Sequence, residues 1–182
     1  MRIKYNSPVI LTYAIISICV LAFTGNGILA KYFSSPRHLS SFLNPYFYFK
    51  LVSYIAGHAN WNHLTGNMMI ILLVGPLLEE KYGSVKLFEM ILITAISTAL
   101  LNAFLFSNSL IGGSGIAFML ILLSSFSNIR SREIPLTFII IAVLYIGSEV
   151  LSILKIDRVS QFSHLAGGFI GASYGFVRSV RR

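Results

Sequence analysis

Four polar side chains stand out in an otherwise apolar chain, and their types suit nucleophilic catalysis. Ser114 lies in Ile111-Gly112-Gly113-Ser114-Gly115-Ile116, inside a run from Met90 to Ile129 that carries no charge. That run is long enough for two membrane crossings at about 20 residues each. A glycine-flanked serine at the joint between them makes sense as a nucleophile held in a membrane-embedded cavity. His63 and Asn67 are four apart, so they share one helix face. Polar groups of this kind in a membrane helix usually face the bundle interior. Taken alone, the pair reads more simply as interhelical hydrogen bonding. His164 is followed by Gly167, Gly171 and Gly175, which form one stripe with the histidine at its end. Glycine every fourth residue is a close-packing pattern; a histidine on the same face aims an imidazole at whatever docks there. If the helix that docks is the one beginning at Ser114, His164 can reach the serine.

A serine needs a base, and histidine is the usual one. The chain has a single aspartate, Asp157, in a loop position. A Ser114–His164 dyad is therefore expected rather than a triad. The oxyanion of an acyl-transfer intermediate needs donors; the Ser114 backbone N–H, His63 and Asn67 are the candidates. Other chemistries lack their residues. There is no His-Glu-x-x-His for zinc, and His58 and His63 lie on different helix faces with no acid between them. One aspartate excludes a diaspartyl site. Gly115 is followed by Ile116, so the α/β-hydrolase elbow is not matched. No metal and no cofactor are expected.

The elements that must position these groups are membrane helices. Of 182 residues, 55% are hydrophobic and 11% charged, against about 25% charged in a soluble domain. The expected fold is an all-α membrane protein, a single domain over 1–182 with six spans at roughly 8–29, 60–78, 88–106, 114–127, 134–153 and 162–178. Pro8 to Ala30 is long enough to be a retained span rather than a cleaved signal. The formal charge of +8 is placed at span ends and reads as orientation and lipid contact, not as nucleic-acid binding. With the N-terminus inside, Arg2, Lys4, Lys81, Lys86, Arg130, Arg132, Arg178, Arg181 and Arg182 are cytoplasmic. Lys31, Arg37, Lys50, Lys155 and Arg158 are outside. That asymmetry puts both termini in the cytoplasm. The lone Cys19 cannot form an intrachain disulfide. From Ser114 to Arg130 a helix rises only about 24 Å, short of a hydrocarbon core of about 30 Å. Ser114 then lies below the outer surface, and the irregular backbone from Ser107 to Gly113 must be buried in protein or line a watery cavity.

With these residues in order, the chain resembles the rhomboid family of intramembrane serine proteases. The resemblance rests on His63-x-x-x-Asn67, on Leu78-Glu79-Glu80-Lys81-Tyr82-Gly83-Ser84, on Gly112-Gly113-Ser114-Gly115 and on His164-x-x-Gly167-x-x-x-Gly171. It covers essentially the whole chain as a minimal six-helix core of bacterial type. It implies Ser114 as nucleophile, His164 as base, and His63, Asn67 and the Ser114 N–H as oxyanion donors. It also implies helix packing around Gly112, Gly113, Gly115, Gly167 and Gly171. The substrate would be a transmembrane segment of another protein, and the location a plasma membrane, the bacterial inner membrane. The family often carries Trp-Arg in the first loop; here Phe49-Lys50 aligns, which keeps charge but not arginine's fork. Ser163 replaces a frequent alanine, and Tyr54 a frequent histidine. An inactive rhomboid-like protein that binds transmembrane clients is the alternative reading.

Overall fold

The computed structural model describes residues 5–39, 43–127 and 160–180, with isolated helical positions at 136, 139, 140, 143, 144 and 147; for 125–127, 160–164, 176 and 178–180 it describes the backbone alone. Among the described residues there is no strand. In chain order the helices are α1 (Pro8–Phe23), α2 (Asn26–Tyr32), α3 (Pro45–Ser53), α4 (Trp61–Tyr82), α5 (Ser84–Leu105), α6 (Ser114–Ser127) and α7 (Ser160–Val180). A 3₁₀ turn, Tyr54–Ala56, links α3 to the loop before α4. α4 and α5 are each long and apolar enough to cross a membrane. Of the expected span 134–153, only those six helical positions are described, and the rest lies outside the described residues.

The first span is shorter than its apolar run suggests. Thr24 takes an extended conformation and ends α1 at Phe23, and α2 begins after Gly25. The segment Thr24-Gly25-Asn26-Gly27 explains the break, because glycine costs about 1 kcal/mol in a helix interior. Cys19 is exposed on α1.

The start of α1 is held by a carboxylate from another helix. Ser7 at its N-cap makes no side-chain cap. Instead Glu79, buried at the end of α4, accepts from the backbone N–H of Val9 and of Ile10, both at 3.0 Å, and from Ser84 Oγ at 2.7 Å. First-turn N–H groups have no intrahelical partner, and the helix N-terminus carries partial positive charge. A buried anion is therefore satisfied there by three donors. The α4–α5 connection is Gly83 alone, at φ +84°, a backbone region that glycine enters without a Cβ clash. These features define one end of the bundle, the far end. The starts of α4, α6 and α7 and the end of α5 lie at the other, the site end.

α6 is apolar on every side, and Ile116, Ala117, Met119, Leu120, Ile121 and Leu123 are buried. A helix apolar all round belongs in the middle. α7 lies in the groove between α6 and α5. Its glycine stripe faces mainly α5: Cβ atoms on Gly167 and Gly171 would overlap Thr98 and Thr94, and one on Gly175 would come 2.7 Å from Met90 Sδ. The pairs run in antiparallel order, with 167 against 98, 171 against 94 and 175 against 90. The same stripe reaches α6 through Met119 at Gly171 and Leu123 at Gly175. A closer backbone approach to α6 is made by Gly168, whose added Cβ would lie 3.1 Å from the Gly115 carbonyl oxygen.

Candidate active site

Ser114 is the first residue of α6 and is 5% exposed. The Gly113 carbonyl accepts from Ala117 N–H at 2.9 Å, so the first hydrogen-bonded turn encloses the serine. The first backbone N–H groups of a helix point out of its N-terminal end.

The irregular segment leading to Ser114 is satisfied by the first loop. Ser35 N–H donates to the Leu110 carbonyl at 2.9 Å, and Leu110 N–H donates to Ser35 Oγ at 2.8 Å. Arg37 Nε donates to Ser109 Oγ at 3.3 Å, and Gly112 N–H donates to the Tyr54 carbonyl at 3.0 Å. Asn102 Nδ2 on α5 donates to the Asn108 carbonyl at 2.6 Å. These bonds satisfy the irregular backbone with protein partners. Beneath it, Tyr13 of α1 donates its hydroxyl to the Ile55 carbonyl at 2.7 Å. The same hydroxyl occupies the space a Cβ on Gly113 would need.

Gly112 is where the oxyanion candidates meet the serine loop. Its φ is +115°. A Cβ there would lie 2.7 Å from His63 Cε1, 2.8 Å from His63 Nε2 and 3.5 Å from Asn67 Nδ2. Both side chains on α4 therefore converge on a residue two before Ser114. Asn60 caps α4 by accepting from His63 N–H at 2.9 Å, which fixes where the histidine starts. Ala59 N–H points at His63 Nδ1 at 3.5 Å. An acceptor role for Nδ1 leaves the proton on Nε2, the atom facing Gly112. Asn67 is 4% exposed, and its Nδ2 has no hydrogen-bond partner among the described residues. A buried amide N–H₂ left unpaired costs free energy, and here it faces the site.

His58 belongs to the same cluster, although spacing alone offered it only as a failed metal ligand. It is 0% exposed, and its ring lies edge-on to His63 with centroids 5.1 Å apart. Nδ1 is 3.3 Å from the Ala56 carbonyl, and Nε2 accepts from Gly113 N–H at 3.4 Å. Those two contacts need the neutral ring, with its proton on Nδ1. Burial, and then the adjacent His63, push its pKa down to about 4. The signal in the sequence was a third polar side chain just before α4, and its partner could not be read without the fold.

His164 lies in the opening turns of α7, and its side chain is outside the described residues. One turn further on, Gly168 sits against the Gly115 carbonyl. The α7 segment that carries His164 is thereby brought to the start of α6. Gly112 and Gly113 pack within the site, Gly115 faces Gly168, and Gly167 and Gly171 pack on α5.

The rhomboid domain family model matches residues 46–181, and the chain belongs to the rhomboid family. It is 30% identical over 139 residues to Rhomboid-related protein 1 of Caenorhabditis elegans, covering 70% of this chain and 39% of that protein. It is 29% identical over 142 residues to RHOMBOID-like protein 2 of Arabidopsis thaliana, covering 72% and 43%. It is 26% identical over 176 residues to Rhomboid protease GlpG of Serratia proteamaculans (strain 568), covering 91% and 62%. The chain thus spans less than two thirds of the length of each of these relatives. Family membership and the apolar helices make it a membrane protein.

Proposed function

We propose that the protein is an intramembrane serine endopeptidase that cuts transmembrane segments of other proteins. Ser114 Oγ attacks the scissile carbonyl carbon and gives its proton to the His164 imidazole. The C–O bond forms, and the carbonyl oxygen becomes the oxyanion. The Ser114 N–H, His63 Nε2–H and Asn67 Nδ2 donate to it. The C–N bond then breaks as His164 returns the proton to the leaving amine, and water resolves the acyl-enzyme by the same steps in reverse order. No metal or cofactor takes part.

The observation that carries this reading is the buried Asn67 Nδ2. Among the described residues it has no partner, and it converges with His63 on Gly112, beside the first turn of α6. A purely structural asparagine would spend that donor on the protein. The protease named among the relatives supports the same reading. In this proposal six helices cross the membrane with both termini on the cytoplasmic side. The protein sits in the plasma membrane of a bacterium. The test is labelling by a fluorophosphonate followed by peptide mapping. The adduct is expected on Ser114, and an adduct elsewhere, or none on folded protein, would sink the assignment and favour a client-binding rhomboid-like protein.

A further inference from the structure

The irregular run from Ser109 to Gly113 decides where Ser114 stands. Part of what holds it is backbone: Gly112 N–H donates to the Tyr54 carbonyl at 3.0 Å, and the Gly113 carbonyl accepts from Ala117 N–H at 2.9 Å. Two bonds to the run come from buried side chains. One is long, from Gly113 N–H to His58 Nε2 at 3.4 Å. The other is short, from Leu110 N–H to Ser35 Oγ at 2.8 Å, across 75 residues of sequence. Ser35 N–H also donates to the Leu110 carbonyl at 2.9 Å. A single bond would fix a point and leave the peptides on either side free to turn. Bonds to both the N–H and the carbonyl of Leu110 fix their orientation too, as paired residues do in an antiparallel ladder.

Ser35 is itself held on both sides. It is 0% exposed and Leu110 is 1% exposed, so bulk water does not compete for their bond. Just before it, Ser34 Oγ donates to the Ala30 carbonyl of α2. The Phe33 carbonyl lies where a Cβ on Gly57 would overlap it, and that Cβ would come 3.0 Å from Ile111 Cγ1. Phe33 and Ile111 thus pack together over Gly57. Just after Ser35, the ring of buried Pro36 fixes the backbone φ. The Ser35 hydroxyl proton points to the Pro36 carbonyl at 3.4 Å, which leaves the lone pairs of Oγ for Leu110. α2 is tied in turn to α3, with Ser53 Oγ donating to the Tyr32 carbonyl at 2.6 Å.

We propose that Ser35 is a positioning residue for the reaction: its hydroxyl holds Leu110 N–H, and through Leu110 it sets the placement of Gly112 against His63 and of Ser114 at the start of α6. This rests on the reading of Ser114 as nucleophile. Without the oxygen a buried N–H loses its acceptor, a cost that the loop relieves by shifting. The test is the rate constant for labelling of the purified chain in detergent by a small fluorophosphonate, well below its melting temperature, beside reporter cleavage in liposomes. A role in stability alone would lower the amount of folded protein labelled and leave the rate constant of that protein unchanged. Ser35→Ala should label at Ser114 about 10- to 100-fold more slowly, since a misplacement of about 1 Å is worth on the order of 10² in rate. Its kcat on the reporter should fall by a similar factor with KM unchanged, because a fully buried side chain touches no substrate. Ser35→Thr keeps the hydroxyl acceptor and should restore most of the rate. Ser35→Cys, which keeps the shape and offers only a weak acceptor, should be slowed as well and serves if Ser35→Ala does not fold. Arg37→Ala removes the exposed contact between the same two segments, Arg37 Nε to Ser109 Oγ, and should stay within about twofold of wild type. A wild-type rate constant in folded Ser35→Ala, a folded Ser35→Thr as slow as Ser35→Ala, or equal slowing by Arg37→Ala would overturn the positioning role and leave Ser114 as nucleophile. A folded wild-type chain that is never labelled would overturn the nucleophile, and the positioning role with it.

Discussion

Gly112→Ala adds one methyl group at the point where the catalytic loop meets the oxyanion donors. The new Cβ would sit 2.7–2.8 Å from the His63 ring, where carbon contacts are optimal at about 3.5–4.0 Å. The imidazole must therefore retreat by about 1 Å. The backbone at φ +115° also becomes strained for a residue with a Cβ, by about 1–3 kcal/mol. A displacement of about 1 Å in a catalytic group is worth on the order of 10² in rate, and complete loss of one donor about 10²–10³. The variant should fold with a lowered melting temperature and cleave a transmembrane reporter at least about 10² more slowly. It should still react with a fluorophosphonate, because Ser114 remains. The assay is reporter cleavage in liposomes beside a thermal melt in detergent. A folded Gly112→Ala protein that cuts at the wild-type rate would refute the idea that Gly112 sets the position of His63.

Asn67→Ala should lower cleavage by about 10²–10³, less than Ser114→Ala, with melting nearly unchanged because the amide nitrogen has no partner to lose among the described residues; reporter kinetics and a melt decide it. Glu79→Gln keeps the shape but removes the anion at the start of α1, so it should cost about 2 kcal/mol of stability and leave cleavage by the folded protein intact; equal melting of the two proteins would contradict the cap. His58 is held neutral, with a pKa of about 4 against an ordinary 6.5. An unfolded chain takes up the proton first, so this contribution is complete above pH 6.5 and is lost as pH falls towards 4, by about 3 kcal/mol. Melting of wild type should therefore fall more steeply with acid than that of His58→Gln, and parallel pH profiles would remove the role given to His58.

Much of the frame could be read from residue patterns, and the misses have identifiable physical causes. The start of α6 at Ser114 followed from a charge-free run interrupted by glycine and serine, and the helix occupies 114–127. The end of the first span did not follow, because hydropathy is blind to Thr24 and Gly25 inside an apolar run. The glycine stripe announced close packing but not its partner. That partner is mainly α5, through threonines 94 and 98 at matching spacing, and Gly168 rather than Gly167 meets the backbone of α6. His58 and Tyr13 were illegible as site supports because their partners, Gly113 and Ile55, are distant in sequence and meet only through tertiary packing. Glu79 stood in a recognised motif, yet nothing local pointed to its role 69 residues away, at Ile10.

The most direct measurement is cleavage of a single-span membrane protein by the reconstituted chain, wild type beside Ser114→Ala, with folding of both verified by melting. The account predicts cutting within the span by wild type and none by the folded variant. Equal cleavage by both would contradict it, since the nucleophile would then lie elsewhere.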